Sequence, residues 1–238
     1  ITSNGGGATA SVSVPENTTA VATVTAIDPD VGQTVTFSVS GGADAARFTI
    51  NSATGVLTFL TPPNFEAPAD ANADNVYVVI VQASDGNGGT ATQTLSVTVT
   101  NVNEPPVISS NGGGDTAAIQ LPERTTAVTT VVAADPEGLA VAYSIIGGSD
   151  ATAFSIGAAS GALTFVTPPS FEAPTDSNRD NVYVVIVRAA DPAGNADTQT
   201  ISVSITNVND PPVITSNGGG ATASVSVPEN TTAVATVT

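Results

Sequence analysis

An internal repeat constrains this chain more than any other feature of its sequence. The segment Ile1–Gly7 returns with one change at Ile108–Gly114, and without change from Ile214 onward. The final segment, Ile214–Thr238, copies the first 25 residues letter for letter. Self-similarity at a fixed spacing is the signature of tandem structural units. We therefore predict a first repeat at 1–106, a second at 107–212, and the start of a third, limited to its first two strands, at 213–238.

The local pattern inside each repeat is that of β-strands. Ala10–Val14 and Leu95–Val99 alternate apolar and polar residues, and Val76–Val81 is a short continuous apolar run. Gly, Pro and Asn clusters separate these segments at regular spacing, and no helical period is present. This pattern predicts an all-β chain of tandem immunoglobulin-like Greek-key β-sandwiches, end to end, with about seven strands each.

The aromatic residues hold the same positions in both repeats, once a one-residue deletion is allowed for in the turn Asp30–Gln33. We predict that they form the two cores, with sugar stacking as the alternative. The matched pairs are Phe37/Tyr143, Phe48/Phe154, Phe59/Phe165, Phe65/Phe171 and Tyr77/Tyr183.

The composition excludes several classes of function. The chain has 21 acidic and 4 basic residues, a formal net charge of −17, and no Cys, Met, Trp or His. Without His, Cys or Lys the common general bases and nucleophiles are missing, so we do not expect an enzyme. Binding nucleic acid requires a basic surface, which this chain lacks. Its apolar runs are too short to insert directly into a membrane.

The acidic residues repeat in register, whereas the four Arg do not. Such acids are not a generic solubilising surface, and an external cation would neutralise them. Because every available ligand is a hard oxygen, that cation is predicted to be calcium.

Five motifs, in the same order in both repeats, resemble the cadherin repeat. In the first repeat they are Pro15-Glu16-Asn17, Asp28-Pro29-Asp30, Phe65-Glu66, the Tyr77-bearing strand that ends at Asp85, and Asn101-Val102-Asn103-Glu104-Pro105-Pro106. In its Gly-rich and Thr-rich composition, the sequence is similar to the cadherin-like tandem repeats of large bacterial extracellular adhesins.

The resemblance implies calcium at the joint between consecutive repeats. Carried over to this sequence, the first repeat supplies Glu16, Glu66, Asn101, the carbonyl of Asn103, and Glu104, and the second supplies Asp135, Glu137 and Asp191. Calcium would turn a flexible linker into a rigid one.

The resemblance also implies two further half-sites. The upper half-site would consist of Asp28, Asp30 and Asp85, and the lower one of Glu123, Glu172, Asn207, Asn209 and Asp210. The sequence departs from the family pattern at Asn101, Asn64 and Pro105. Because each departure loses an oxygen or a charge, we expect fewer or weaker ions.

A second acidic feature lies outside these motifs. Asp70-x-Asn72-x-Asp74 returns as Asp176-x-Asn178-x-Asp180, the spacing at which an EF-hand loop begins, but the Gly and Glu that complete such a loop are missing. The two segments bind calcium or only form Asx-turns. Asp44 and Asp150, beside Gly-Gly turns, are interpreted as turn residues.

Two functions follow from these observations. The first is a calcium-rigidified structural repeat of a surface adhesin, acting as a stalk or, through other copies, as a fibre. The alternative is a calcium-dependent, lectin-like domain that binds exopolysaccharide of a biofilm matrix. Both place the chain outside the cell, on a bacterial surface or in a secreted matrix, with adjacent repeats as its first partners.

Overall fold

The computed structural model describes residues 1–30 and 32–238, and Val31, in the turn that carries the deletion, lies outside the described residues. Two compact units are present. The first consists of Ile1–Pro106 with the loops Asp135–Ala140 and Asp191–Asn195, and the second of Val107–Ala134, Val141–Ala190 and Ala196–Thr238.

The first unit is built from two sheets. Its strands are β1 (Thr9–Pro15), β2 (Ala20–Thr23), β3 (Thr36–Gly41), β4 (Phe48–Ile50), β5 (Val56–Phe59), β6 (Val76–Ser84) and β7 (Thr90–Thr100). One sheet has the order β1-β7-β6-β3 and the other β2-β5-β4. β1 pairs with β7 in parallel, and the other pairs are antiparallel.

Alternation along the strands places the core between these sheets. In β6 every second residue is buried, from Tyr77 to Ala83. The rings of Phe48 and Phe59 stack at 4.5 Å, and Tyr77 meets Phe59 edge-on at 5.1 Å. Burial of Phe48, Phe59 and Tyr77 confirms that these rings belong to the core, and Phe65 packs against the core while staying partly exposed.

The second unit repeats this arrangement. Its strands are β8 (Val107–Ile108), β9 (Thr116–Pro122), β10 (Ala127–Thr130), β11 (Ala133–Ala134), β12 (Ala142–Gly147), β13 (Phe154–Ile156), β14 (Ala162–Phe165), β15 (Val182–Ala190) and β16 (Ala196–Thr206). The sheets have the orders β12-β15-β16-β9 and β10-β14-β13, with β8 paired to β11. Phe154, Phe165 and Tyr183 reproduce the aromatic trio of the first unit.

The all-β prediction is confirmed. Within the described ranges, helix is limited to three-residue 3-10 turns, such as Ala45–Arg47. No helix there has the length and apolar character needed to cross a bilayer.

The copied segment at 214–238 differs from its original in the first repeat. Residues 9–15 and 20–23 form β1 and β2 by pairing with β7 and β5, whereas the described residues after β16 contain one 3-10 turn, Ser216–Gly218, and no strand. The sequence predicts two strands here. Among the described residues these two strands are not formed, because β7 and β5 are already paired with β1 and β2 of the first repeat.

Candidate metal centre

Four glutamates meet in the first unit. Glu16, Glu66, Glu104 and Glu137 each offer one carboxylate oxygen, and these four oxygens all lie within 4.8 Å of one another. Glu137 belongs by sequence to the second repeat, but its loop is part of the first compact unit. Four like charges at this spacing repel one another strongly unless a cation compensates them.

The backbone holds Glu16 rigidly in this cluster. The residue follows directly after β1 and is 1% exposed. Its Oε1 accepts a hydrogen bond from the Val102 N–H at 2.8 Å, and its Oε2 accepts one from the Phe65 N–H at 2.7 Å. Glu16 therefore ties the linker and the segment before β6 to the end of β1.

The other glutamates are held by amide groups. Asn101 Nδ2 donates to Glu66 Oε1 at 2.8 Å, and Asn17 Nδ2 donates to Glu104 Oε1. The Glu104 N–H lies 3.4 Å from Glu137 Oε2. Each of these bonds occupies one oxygen of a carboxylate, so the other oxygen of the same group stays available to a ligand.

Asp191 and Asp135 flank the cluster in the same unit. The Asn103 side chain donates to Asp191, and with the loop N–H groups it keeps the pKa of that carboxyl below its ordinary value although partial burial opposes this. Asp135 Oδ1 accepts from the N–H groups of Glu137 and Leu139, both at 3.1 Å. The Asn103 carbonyl, predicted as a ligand, accepts from Asn195 Nδ2 at 3.1 Å.

Two carboxylate oxygens, one in the cluster and one beside it, are buried without a donor. Among the described residues, Asp135 Oδ2 and Glu137 Oε1 have no hydrogen-bond partner. A buried oxygen with no partner is costly, and an anionic one more so. Desolvation and the charges of Glu16, Glu137 and Glu104 also raise the pKa of Glu66, against one backbone hydrogen bond. An all-oxygen, anionic donor set with unsatisfied oxygens fits a hard divalent cation such as calcium.

Comparisons with known proteins find a similarity to cadherin domains over part of the chain. Residues 10–100, which span β1 to β7, match the family model described as "Cadherin domain". In sequence, residues 10–100 are therefore similar to cadherin domains. That family consists of adhesion domains and is not enzymatic.

Curated cadherin relatives align over most of the chain. Cadherin-99C of Drosophila melanogaster is 30% identical over 195 residues, which is 80% of this chain and 11% of that protein. Human Protocadherin Fat 1 is 32% identical over 214 residues, which is 84% of this chain and 4% of that protein. The chain thus spans only a small part of the length of these relatives.

Solved cadherin structures share the fold. Human CDH23 EC21-23 superposes with a TM-score of 0.52 at 21% identity and covers 98% of this chain and 82% of its own. The human Desmocollin-1 ectodomain gives a TM-score of 0.53 at 20% identity, over 88% of this chain and 41% of its own. At these identities the likeness establishes the cadherin-like fold alone.

The first repeat also carries the predicted upper half-site. Asp28, Asp30 and Asp85 line one cleft of about 230 Å³. Asp28 Oδ1 accepts from the Asp30 N–H at 2.7 Å, and Asp85 Oδ1 accepts from the N–H groups of Asn87 and Gly89 at 2.7 and 2.9 Å. The cleft gathers the three predicted acids, and their role as ligands stays a prediction.

The predicted lower half-site of the second unit contains a basic residue, Arg124. Glu123 is buried and accepts from the N–H groups of Val208 and Phe171, which lower its pKa. Asn207 Nδ2 donates to Glu172 Oε1 at 2.9 Å, as Asn101 does to Glu66. Arg124 forms an ion pair with Asp210. Asn209 is exposed.

The Asp-x-Asn-x-Asp segments form Asx-turns, one of the two predicted alternatives. Asp70 Oδ2 accepts from the Asp74 N–H at 2.9 Å, and Asp74 Oδ1 accepts from the Val76 N–H at 2.9 Å. Burial raises the pKa of Asp70, but these backbone bonds outweigh it and leave the pKa lowered. Asn72 Nδ2 donates to Asp74 Oδ2. Asp176, Asn178 and Asp180 repeat this network. Calcium binding by either segment stays a prediction.

Asp44 has a larger role than the turn residue that the sequence predicts. It is 5% exposed, and its two oxygens accept from the N–H groups of Ala71 and Val78 at 2.7 and 2.8 Å. Asp150 makes the same two bonds, to Ser177 and Val184. These partners lie 27 and 34 residues away in sequence, so no local signal reveals them.

Asp44→Asn is expected to lower the free energy of unfolding by about 2 kcal/mol, because an amide presents only one acceptor to two buried donors. Asp115→Asn, at an exposed acid, removes the same charge and is expected to change it by less than about 0.5 kcal/mol. Urea unfolding followed by circular dichroism measures both. Equal effects of the two variants would contradict the assigned role of Asp44.

Proposed function

We propose that this chain is a calcium-binding structural repeat of an extracellular cell-surface adhesin. The observation that carries the proposal is the four-glutamate cluster with its unpaired buried oxygens in the first unit. Cadherin domains in general bind calcium, which agrees with this chemistry.

The proposed ion is held by Glu16, Glu66, Glu104 and Glu137, with Asp135 and Asp191 beside it. Calcium supplies positive charge at the point where the carboxylates converge, and it accepts several oxygen ligands at once. Three of these glutamates belong to the first repeat and one to the second. An ion on this set fixes the linker that contains Glu104, so the proposed role is mechanical: the array becomes a stiff stalk.

The parent protein is proposed to be an adhesin on a bacterial surface or in its secreted matrix. Support for the bacterial origin is the Gly-rich and Thr-rich sequence, whereas the curated relatives described above are animal cadherins. Near-identical repeats are better suited to lengthening a stalk than to recognising several different ligands. The lectin alternative has no comparable support, because the stacked aromatic rings of both units are buried.

Small-angle X-ray scattering with and without millimolar CaCl2 tests the stalk. We expect calcium to increase the maximum dimension of the wild-type chain and to narrow its distribution of distances, since a fixed linker samples fewer conformations. The Glu66→Ala, Asp135→Ala double variant should show neither change. Identical scattering of the wild type in both buffers would contradict the proposal.

The effect of Glu66→Gln on the melting temperature is expected to have opposite signs without and with calcium. In EDTA at pH 7 the variant should melt higher than the wild type, because it removes one of four repelling charges. In millimolar CaCl2 it should melt lower, because ligand binding stabilises the folded wild type in proportion to RT ln(1 + [L]/Kd). Differential scanning calorimetry measures both melting temperatures.

Asp115→Asn is the control for this reversal, since it removes one charge at an exposed residue that is not part of the cluster. It should shift the melting temperature in the same direction in both buffers. A Glu66→Gln shift of one sign in both buffers would contradict a calcium ion bound by these carboxylates.

A further inference from the structure

One position distinguishes the two acid clusters of this chain. The residue after the buried glutamate is Asn17 in the first repeat and Arg124 in the second, and Asn230 holds the matching position in the third. All three adopt a left-handed backbone conformation, with φ values of 60°, 64° and 64°. Asn is well suited to this conformation and Arg is not. Backbone preference therefore does not account for the Arg.

The side chain at this position makes an equivalent contact in both units. Asn17 Nδ2 donates to Glu104, and Arg124 Nη2 donates to Asp210, the acid at the matching place in the linker. The first repeat combines a short amide with a long acid, and the second a long base with a short acid. The two pairs thus span the same place in the fold with different net charge.

Arg124 also stands among the other acids of its cluster. The bond to Asp210 raises the pKa of the guanidinium most, and the charges of Asp210, Glu123 and Glu172 raise it further. In the first unit the matching acids, Glu16 and Glu66, face Glu104 and Glu137 with an uncharged Asn17. Among the described residues, an acid of the second cluster forms an ion pair with a base, whereas the four glutamates of the first cluster form none.

We infer that Arg124 is a built-in counterion of the second acid cluster, and that it weakens calcium binding there relative to the first. A guanidinium bound to Asp210 occupies one potential ligand oxygen and repels a divalent ion. The calcium part of this inference rests on the proposed function, whereas the counterion part does not. The third repeat returns to Asn230, so this position is Asn, Arg and Asn along the sequence.

Paired variants of the full chain separate charge from backbone effects. Arg124→Gln removes the charge while keeping an unbranched side chain in the left-handed conformation. Arg179→Gln is its control, because Arg179 has a φ of 61° and the same charge. In EDTA at pH 7, Arg124→Gln should lower the melting temperature by about 2 °C more than Arg179→Gln. Equal shifts in melting temperature would overturn the assignment of Arg124 as a counterion.

The first cluster provides the reciprocal test. Asn17→Arg and Asn17→Gln both lose the favourable Asn, so they differ only in charge and length. By calorimetric titration with CaCl2, Asn17→Arg should bind about tenfold more weakly than Asn17→Gln, since it places a cation beside the ion. Equal affinities would overturn the calcium part. Absence of binding in the wild type would refute the proposed function instead, and the comparison in EDTA would still decide the counterion.

Discussion

Replacing Glu16 by alanine is expected to lower the free energy of unfolding of the first unit by about 3 kcal/mol in EDTA and by more in calcium. The Glu16 carboxylate is almost completely buried and accepts hydrogen bonds from the N–H groups of Phe65 and Val102. Truncation leaves both donors unpaired and opens a cavity beside β1. In calcium it also removes a proposed ligand, so the stabilisation by the ion is lost as well.

Glu229→Ala is the matched control, because Glu229 holds the same sequence position in the third repeat and is exposed. It is expected to change stability by less than about 0.5 kcal/mol in either buffer. Urea unfolding with and without CaCl2, followed by tyrosine fluorescence, measures both variants. If Glu16→Ala unfolded at the same urea concentration as Glu229→Ala, the buried carboxylate would not hold the linker.

Gly55→Ala is expected to destabilise the first unit by about 3 kcal/mol or more. Gly55 has a φ of +72°, and a Cβ at this residue would lie 2.0 Å from the Val24 carbonyl oxygen. That oxygen belongs to the backbone of a fully buried residue, and the Val24 N–H is bonded to the Gly55 carbonyl at 2.8 Å. The methyl group therefore forces the backbones apart where the chain leaves β2.

Gly86→Ala measures the cost of the left-handed backbone conformation in the absence of a clash. Gly86 has a φ of +80°, but no atom lies within 4 Å of the position that a Cβ would take there. The substitution is expected to lower stability by about 1 kcal/mol, the cost of the left-handed conformation alone. Thermal unfolding of both variants gives the comparison. A Gly55→Ala effect no larger than that of Gly86→Ala would mean that the Val24 carbonyl moves freely.

The sequence predicts the fold well because its signals are local and repeated. The core positions determine three of these signals. They are the alternation in β1 and β7, the apolar run of β6 that contains Tyr77, and the matching positions of the aromatic residues. The unpaired segment at 214–238 is the exception. Its alternation is the same as that of β1 and β2, but strand formation depends on pairing, and β1 and β2 owe theirs to β7 and β5.

The candidate site is predictable only in part. Register among the acids indicates Glu16, Glu66, Glu104 and Glu137, which the fold brings together. Because the four Arg do not repeat in register, their pattern does not indicate Arg124 as a site residue. The signal that could have indicated it is that the other two repeats have Asn at the same position. The sequence assigns Asp44 to a turn because its partners are distant along the chain. Such pairings require the tertiary structure.

Isothermal titration calorimetry of CaCl2 into the full chain tests the central claim most directly. The wild type should show saturable calcium binding that is lost in the Glu66→Gln, Glu137→Gln double variant and retained in Asp115→Asn. The double variant removes two converging carboxylates without truncating the buried Glu16 that the backbone requires. Binding of equal affinity and stoichiometry in the wild type and the double variant would contradict a calcium site at this cluster.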